Sequence, residues 1–551
     1  MPDERGRAAG RSLRGFAVVG ALAVLASSGA QQVGAQPAPA DFASVACSLP
    51  HDQLLRIWRG TQQDRSGDVL IVPQAPNFVG SNYPHSGPWN YLQDVPMMWY
   101  GPGIVPALGV VKRPVTSADI APTQAALMHF DGFTAPDGQT MQEVLPTNGT
   151  TPRLIVTFVW DAGGRNVLDA YPNDWPVLKS LIDKGVWFDH ATVGSSPSIT
   201  PATHATIGTG AFPMRTGQVD GEFRIGPDLI RAGELGPQLL NMPTLADIYD
   251  RARDNEPIIG TLGSVTWHLN MMSHGALFTG GDKDIAVLRT PLEGADNEGV
   301  EGTKWNLQGK NAPWYAFPKY ANDTPPLSTY LDELDAADGA RDGNWHEDDI
   351  QQLEAGWATP ARIPYQDAMY AEVVKREGFG KDDVPDMLFI NSKIIDHISH
   401  LYSTNSIEMQ DTLRWQDEGL GPFIHLLNAE VGRGQWVLLL TADHGAQFDP
   451  QVSGAFQVTP AELTTDLQAA FGNEAVQFVR TSQIFLDAKA LQQQGSSVEA
   501  VASFVLDYTK AQAVSDPSSL AADEGQEKVF AAAFPASVFN EDLPCLQEMA
   551  A

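Results

Sequence analysis

The chain has 551 residues, of which 43% are hydrophobic and 19% charged, and its formal net charge is −32. This composition belongs to a globular protein with a sizeable core and excludes a disordered chain. So acidic a surface argues against nucleic-acid polymers and anionic membranes as partners, and a small anionic substrate would need local cations, which bound metal ions supply.

Arg5, Arg7, Arg11 and Arg14 precede an apolar run at 16–26, and Val33-Gly34-Ala35 offers a small-residue cleavage site. That layout predicts a secretory signal peptide over residues 1–35, because its apolar core is too short to span a membrane; the alternative is a retained anchor. No later segment is apolar for long enough to span. Removing residues 1–35, with four arginines and two acids, moves the net charge from −32 to −34. The expected location is secreted or periplasmic, with no membrane attachment after cleavage. The cysteines are Cys47 and Cys545. In an exported chain the two imply one disulfide tying the chain ends together, the alternative being two separate buried thiols.

A Pro/Ala lead-in is followed by a short helical stretch at 52–59, a strand at 69–72, a loop at 83–91 and an apolar run at 95–100. A helical pattern covers 119–127. Residues 131–152 are rich in Gly, Pro, Thr and Asp without a sustained period and read as a linker. LIVTFVW at 154–160 is a continuous apolar run, the pattern of a strand buried on both faces of a parallel sheet. Asp161 follows at its C-terminal end, where open α/β sheets place their sites. A helix at 175–184 and a short strand at 186–188 come next. In SITPATHATIGTG (198–210) Thr200 precedes Pro201, which predicts a helix start with Thr200 as its N-cap. A hydroxyl there lies where backbone N–H groups gather negative charge, which suits a nucleophile acting on an anionic group. Residues 220–350 are irregular and Gly- and Trp-rich, and read as an inserted cap or long loops. Buried strands are predicted at 387–391 and 436–441, a charged helix at about 406–430, and a closing strand and helix at 483–486 and 498–510. Strands alternating with helices imply an α/β fold with a doubly wound, mainly parallel central sheet and helices on both faces.

Metal-capable side chains recur where these strands end: Asp161 after the first, Asp396 and His400 after the second, Asp443 and His444 after the third. Carboxylates and imidazoles are the usual ligands of catalytic zinc. Asp396 and His400 are four apart, so a helical turn points both the same way.

Taken in order, Asp161, the TPATHATIGTG turn, Asp396-x-x-x-His400 and Asp443-His444-Gly445 resemble the alkaline phosphatase superfamily. The similar branch holds nucleotide pyrophosphatases/phosphodiesterases and single-threonine alkaline phosphatases, and the resemblance runs over most of residues 154–490. The family carries a last zinc-binding histidine near its C-terminus, yet no histidine follows His444 here. The segment RSGDVLIVPQ, YPHSGPWNY, VPMMWYGPGI and DIAPTQAAL, within 65–127, is similar to the family's closing segment. The resemblance therefore implies a circular permutation, with the family's C-terminal segment at 41–130, a linker at 131–152, and the rest of a single α/β domain following. Cys47 and Cys545 would then sit at the new ends.

By this resemblance Asp396, His400 and His85 hold one zinc ion, and Asp161, Asp443, His444 and the Thr200 oxygen hold a second. Thr200 becomes the nucleophile, forming a phospho-threonine that water hydrolyses. Lys283 in GGDKDIAVL resembles a phosphate-binding KDR element, and His268 and His274 in the cap are candidates to line the substrate pocket. The pattern departs in two places: the position of the family's phosphate-binding asparagine is Gly221, beside Asp220, and the arginine of the KDR element is Ile285. A monoester dianion needs more positive charge than a diester monoanion, so the expectation is an exported phosphodiesterase or nucleotide pyrophosphatase acting on a small phosphorylated substrate. The alternatives are an alkaline phosphomonoesterase on the same site and a catalytically idle metal- or anion-binding relative.

Overall fold

An uninterrupted apolar strand must be covered on both sides, and LIVTFVW sets the layering of the molecule. A computed structural model describes residues 40–547 apart from 234–235, 264–267, 289–304, 308, 338, 356–357, 522 and 542. The predicted signal peptide lies outside the described residues.

In chain order the principal strands are β1 (Val69–Pro73), β2 (Met97–Tyr100), β3 (Gly109–Val111), β4 (Leu154–Trp160), β5 (Val186–Phe188), β6 (Ile259–Gly263), β7 (Asp284–Val287), β8 (Tyr315–Ala316), β9 (Asp386–Ser392), β10 (Trp436–Thr441), β11 (Val476–Val479), β12 (Gln483–Leu486) and β13 (Phe530–Pro535). The helices that matter for the site are α1 (Ile120–Leu127), α2 (Pro176–Ile182), α3 (Thr200–Thr209), α4 (Leu245–Ala252), α5 (Arg362–Glu377), α6 (Ile394–Tyr402) and α7 (Ile407–Leu427).

Nine strands form the main sheet in the order β8-β7-β6-β9-β4-β10-β2-β5-β3. Every neighbouring pair is parallel except the two that involve β2. Successive side chains leave a strand on opposite faces. Leu154, Val156, Phe158 and Trp160 accordingly enter a core with α2, α5, α6 and α7, while Ile155 and Val159 enter a second core with α1, α3 and α4. Helices thus cover both faces, as a doubly wound sheet requires.

A smaller antiparallel sheet, ordered β11-β12-β1-β13, packs the two chain ends together. Its core joins Phe42, Ala46, Leu54 and Ile57 to Phe530, Ala532, Ala533 and Phe534. Cys47 and Cys545 are disulfide-bonded across a sequence separation of 498 residues.

Two sequence readings change here. Within 220–350, β6, β7 and β8 belong to the main sheet rather than to an insertion; they escape a search for long apolar runs because they are short and one of them reads IGTLG. The 131–152 stretch lacks strands and α-helices but is pinned to the body. Asp137 accepts from the Phe212 N–H at 2.9 Å and from Arg215 at 2.8 Å, and Met141 and Val144 are buried. Among the described residues no helix is long and apolar enough to cross a membrane.

A cross-link that closes so long a loop restricts the unfolded chain. Cys47→Ser should therefore lower the unfolding free energy by about 2–4 kcal/mol, read by chemical denaturation, with metal content unchanged. Equal stability of the variant and the parent would show that the bond contributes nothing.

Candidate active site

β4 is parallel to both β9 and β10, with Trp160 level with Ser392 and Val159 level with Thr441. The residues that follow each strand therefore emerge side by side at one edge of the sheet. Asp161 leaves β4, Lys393 and α6 leave β9, and Asp443 and His444 leave β10. Two glycines let these loops touch: a Cβ on Gly164 would lie 2.4 Å from the Gly445 Cα. Ala162, in the left-handed region at φ 58°, turns its N–H to the Asp443 Oδ1 at 3.1 Å.

Thr200 is the first residue of α3, and extended Ile199 takes the cap position predicted for Thr200. Pro201 is tolerated in the first turn either way. The shift leaves the hydroxyl facing the strand ends instead of its own helix. Its Oγ1 lies 3.0 Å from Lys393 Nζ, 3.3 Å from His444 Nε2 and 3.4 Å from Asp161 Oδ1.

Two sets of donors flank it. His85, Asp396 and His400 form one, and Asp161, Asp443 and His444 the other, the donor atoms in each lying within 4.8 Å of one another. His85 Nε2 is 3.3 Å and His400 Nε2 3.5 Å from Asp396 Oδ1. His444 Nε2 is 3.5 Å from Asp161 Oδ1 and 3.4 Å from Asp443 Oδ2. The His85 and His444 rings stack with centroids 3.6 Å apart, which joins the sets.

The imidazole orientations follow from the other ring nitrogen. His85 Nδ1 faces the Ser198 carbonyl at 3.2 Å, His400 Nδ1 the Tyr83 carbonyl at 3.0 Å, and His444 Nδ1 the Gly445 carbonyl at 3.0 Å. A carbonyl only accepts, so each Nδ1 carries the proton and each Nε2 turns a lone pair into the site. Those lone pairs confront carboxylate oxygens, and Asp396 Oδ1 and Asp443 Oδ2 are buried without a hydrogen-bond donor among the described residues. Lone pairs facing lone pairs repel, and a cation between them removes the repulsion. The donor set, nitrogen and carboxylate oxygen in two groups of three, fits two divalent metal ions.

Burial holds the His85, His400 and His444 imidazoles below their ordinary value, keeping them neutral. Burial, reinforced by the charge of Asp161, pushes the Asp443 carboxyl up to about 8. Burial, the largest influence, would raise Asp161 and Asp396 as well, but the Lys393 ammonium together with His444 and His204 at Asp161, and with His400 and His85 at Asp396, brings both below the usual carboxylate range.

Lys393 is a functional candidate the sequence reading passed over. Its Nζ lies 2.8 Å from Asp161 Oδ1 and 2.8 Å from Asp396 Oδ2. The signal was a lone lysine three residues before Asp396 at a predicted strand end, indistinguishable in one sequence from a helix-start lysine. His204 was also passed over: it donates from Nδ1 to the Thr200 carbonyl at 2.8 Å and accepts from Asn391, whose amide also donates to Asp161 at 2.8 Å. This chain of bonds fixes the start of α3 against β9.

Three predicted substrate residues do not join the donor sets. Lys283 is exposed at the opposite edge of the sheet, before β7, and donates to the Ala312 carbonyl at 2.7 Å. A parallel strand delivers to the site the residues after it, not those before. His274 is buried against Asp247 at 2.5 Å, near the start of α4. His268 stays closer, with its ring 6.3 Å from that of His204. Beside the gap at Gly221 stands Arg480. Its Nη2 would lie 3.0 Å from a Cβ at 221, with the Ile199 side chain 3.5 Å from the same point. Arg480 pairs with Asp220 at 3.4 Å and Glu222 at 2.9 Å.

The sequence model described as type I phosphodiesterase / nucleotide pyrophosphatase matches residues 155–522. The chain is 22% identical over 413 residues to alkaline phosphatase PhoV of Synechococcus elongatus, covering 66% of this chain and 73% of that protein. It is 29% identical over 140 residues to alkaline phosphatase PafA of Elizabethkingia meningoseptica, covering 24% of this chain and 26% of that protein. The crystal structure of wild-type PafA matches with a TM-score of 0.51 at 19% identity, over 64% of this chain and 76% of that one, a likeness of fold.

His85→Ala removes one donor of three and should lower the metal content of the purified protein by about one ion per chain, measured by inductively coupled plasma mass spectrometry. Lys283→Ala should leave it unchanged. Full metal occupancy in the His85 variant would remove that imidazole from the site.

Proposed function

The chain belongs to the type I phosphodiesterase / nucleotide pyrophosphatase family of the alkaline phosphatase superfamily and is a metal-dependent phosphoric ester hydrolase, and we propose that it is an exported dizinc phosphodiesterase working through Thr200. The observation that carries this reading is the placing of the Thr200 hydroxyl between two triads of metal-capable donors. Asp396, His400 and His85 would hold one zinc ion; Asp161, Asp443, His444 and the Thr200 oxygen would hold the other. Bound zinc supplies Lewis acidity to the attacking and the leaving oxygen of an in-line displacement.

The chain's own residues account for the rest. Thr200 Oγ1 attacks phosphorus, its proton is lost to solvent, and the phosphorus–leaving-oxygen bond breaks as the Thr200–phosphorus bond forms. The leaving oxygen takes up a proton from solvent. Water then attacks the phosphoryl-threonine, which keeps the diester's second organic group; the water gives up a proton, and the Thr200 oxygen departs and regains one as the phosphomonoester product is released. The N–H groups in the first turn of α3 favour the anionic group being transferred. Lys393 Nζ, held by Asp161 and Asp396, adds a fixed positive charge 3.0 Å from the nucleophile.

That ammonium also supports a second reading, phosphomonoester hydrolysis, since it supplies charge that Lys283 cannot bring from the far edge of the sheet. We infer a circular permutation as well. β1 lies between β12 and β13 of the C-terminal sheet, and Phe78–Val79, shortly before His85, pairs in parallel with Gln457–Val458. The first part of 41–130 thereby packs among C-terminal elements, which supports the reading that 41–130 is the family's displaced closing segment, with 131–152 as the joint. The Cys47–Cys545 disulfide supports export, because such bonds persist in oxidising compartments.

Thr200→Ala should lower turnover of bis-p-nitrophenyl phosphate by at least about a thousandfold while zinc stays bound, and parent enzyme acid-quenched during that turnover should carry a p-nitrophenyl-phosphoryl group on the peptide containing Thr200. Turnover surviving in the variant would reject the covalent route. Lys393→Ala should cost p-nitrophenyl phosphate about tenfold more in kcat/KM than the diester, the scale of one hydrogen bond from a charged group. Equal losses on both substrates would mean that the lysine serves the nucleophile and not the extra charge of a monoester.

A further inference from the structure

At the sheet edge opposite Thr200, a second group of carboxylates comes together. Asp282 and Asp284 bracket Lys283 at the start of β7, and Asp250 projects from α4. One carboxylate oxygen from each lies within 4.8 Å of the others. Asp284 is 6% exposed and accepts from the Ser273 hydroxyl and from the Gly275 N–H at 3.0 Å. Asp250 is 5% exposed, and its Oδ1 has no hydrogen-bond partner among the described residues. A buried carboxylate oxygen without a donor is strongly disfavoured. The cations flanking the cluster point elsewhere: Lys283 donates to the Ala312 carbonyl, and Arg251 donates to the Asp247 carbonyl at 3.0 Å. His274 is taken by Asp247. Asp282, the exposed member, leaves a path to solvent.

We propose that Asp250, Asp282 and Asp284 form a second, separate cation site that takes a hard divalent ion, calcium or magnesium. All three donors are carboxylate oxygens, with no imidazole or thiolate, the set that suits these ions rather than zinc. The ion replaces the donor that Asp250 Oδ1 lacks, and it ties the loop entering β7 to α4. Its role is structural: the site is at the far edge of the sheet from the nucleophile and stands whether or not the dizinc reading does.

The test uses the full zinc-loaded enzyme freed of other cations, titrated with CaCl2, MgCl2 or MnCl2 by isothermal calorimetry and thermal unfolding. About one calcium or magnesium ion per chain should bind beyond the zinc complement and raise Tm. Asp250→Asn, and independently the exposed Asp282→Asn, should each weaken that affinity by at least about tenfold, the loss seen even for partners one shell further from a metal. Both should leave zinc content and diester hydrolysis unchanged. The proposal is overturned if none of the three ions binds the parent, or if binding is undiminished in both variants. It is equally overturned if Asp250→Asn raises Tm without any added ion and abolishes no binding, which would mean that Asp250 and Asp284 simply share a proton.

Discussion

Buried carboxylates and imidazole lone pairs converge on Thr200 with Lys393 as the ammonium among them, and this imbalance of charge governs the molecule. Asp161, Asp396 and Asp443 are each almost wholly shielded from water, and their neighbours His85, His400 and His444 are held neutral. In a medium of low dielectric such a group repels itself unless cations enter. The same field that favours cations makes them effective, because charge placed there acts on the Thr200 hydroxyl with little screening.

Rigid surroundings are needed to hold such an arrangement, and the sheet provides them. β4, β9 and β10 are buried over their whole lengths and share one register, so three loops carrying acids and histidines are launched from adjacent points. Hydrogen bonds to backbone carbonyls lock each imidazole, and the His204–Asn391 pair ties the start of α3 to β9. The donors are therefore oriented by groups outside the two donor sets.

His85 is the exception to this economy, since it comes from a loop outside the parallel strands. It is placed by the smaller sheet, where β1 sits between strands encoded some four hundred residues later, and by the short parallel pairing of Phe78–Val79 with Gln457–Val458. The packing of the two chain ends, closed by the disulfide, is in that sense part of the site's construction.

The sequence by itself determined the layered α/β class, the strands at 154–160 and 436–441, and the identity of the residues at their ends, because burial on both faces forces an unmistakable apolar run and a polar residue must mark its exit. It also carried enough order among its motifs to single out His85. It misled where chemistry alone was the guide: GGDKDIAVL has a lysine of the right type, but direction along a parallel strand puts it at the wrong edge. Only the tertiary structure decided that β6, β7 and β8 join the main sheet, that Ile199 rather than Thr200 takes the cap position, and that Lys393 reaches the Thr200 hydroxyl. Each of these depends on which strands lie side by side and which way a side chain leaves the backbone, and such distances between residues far apart in sequence leave no trace in local composition or period.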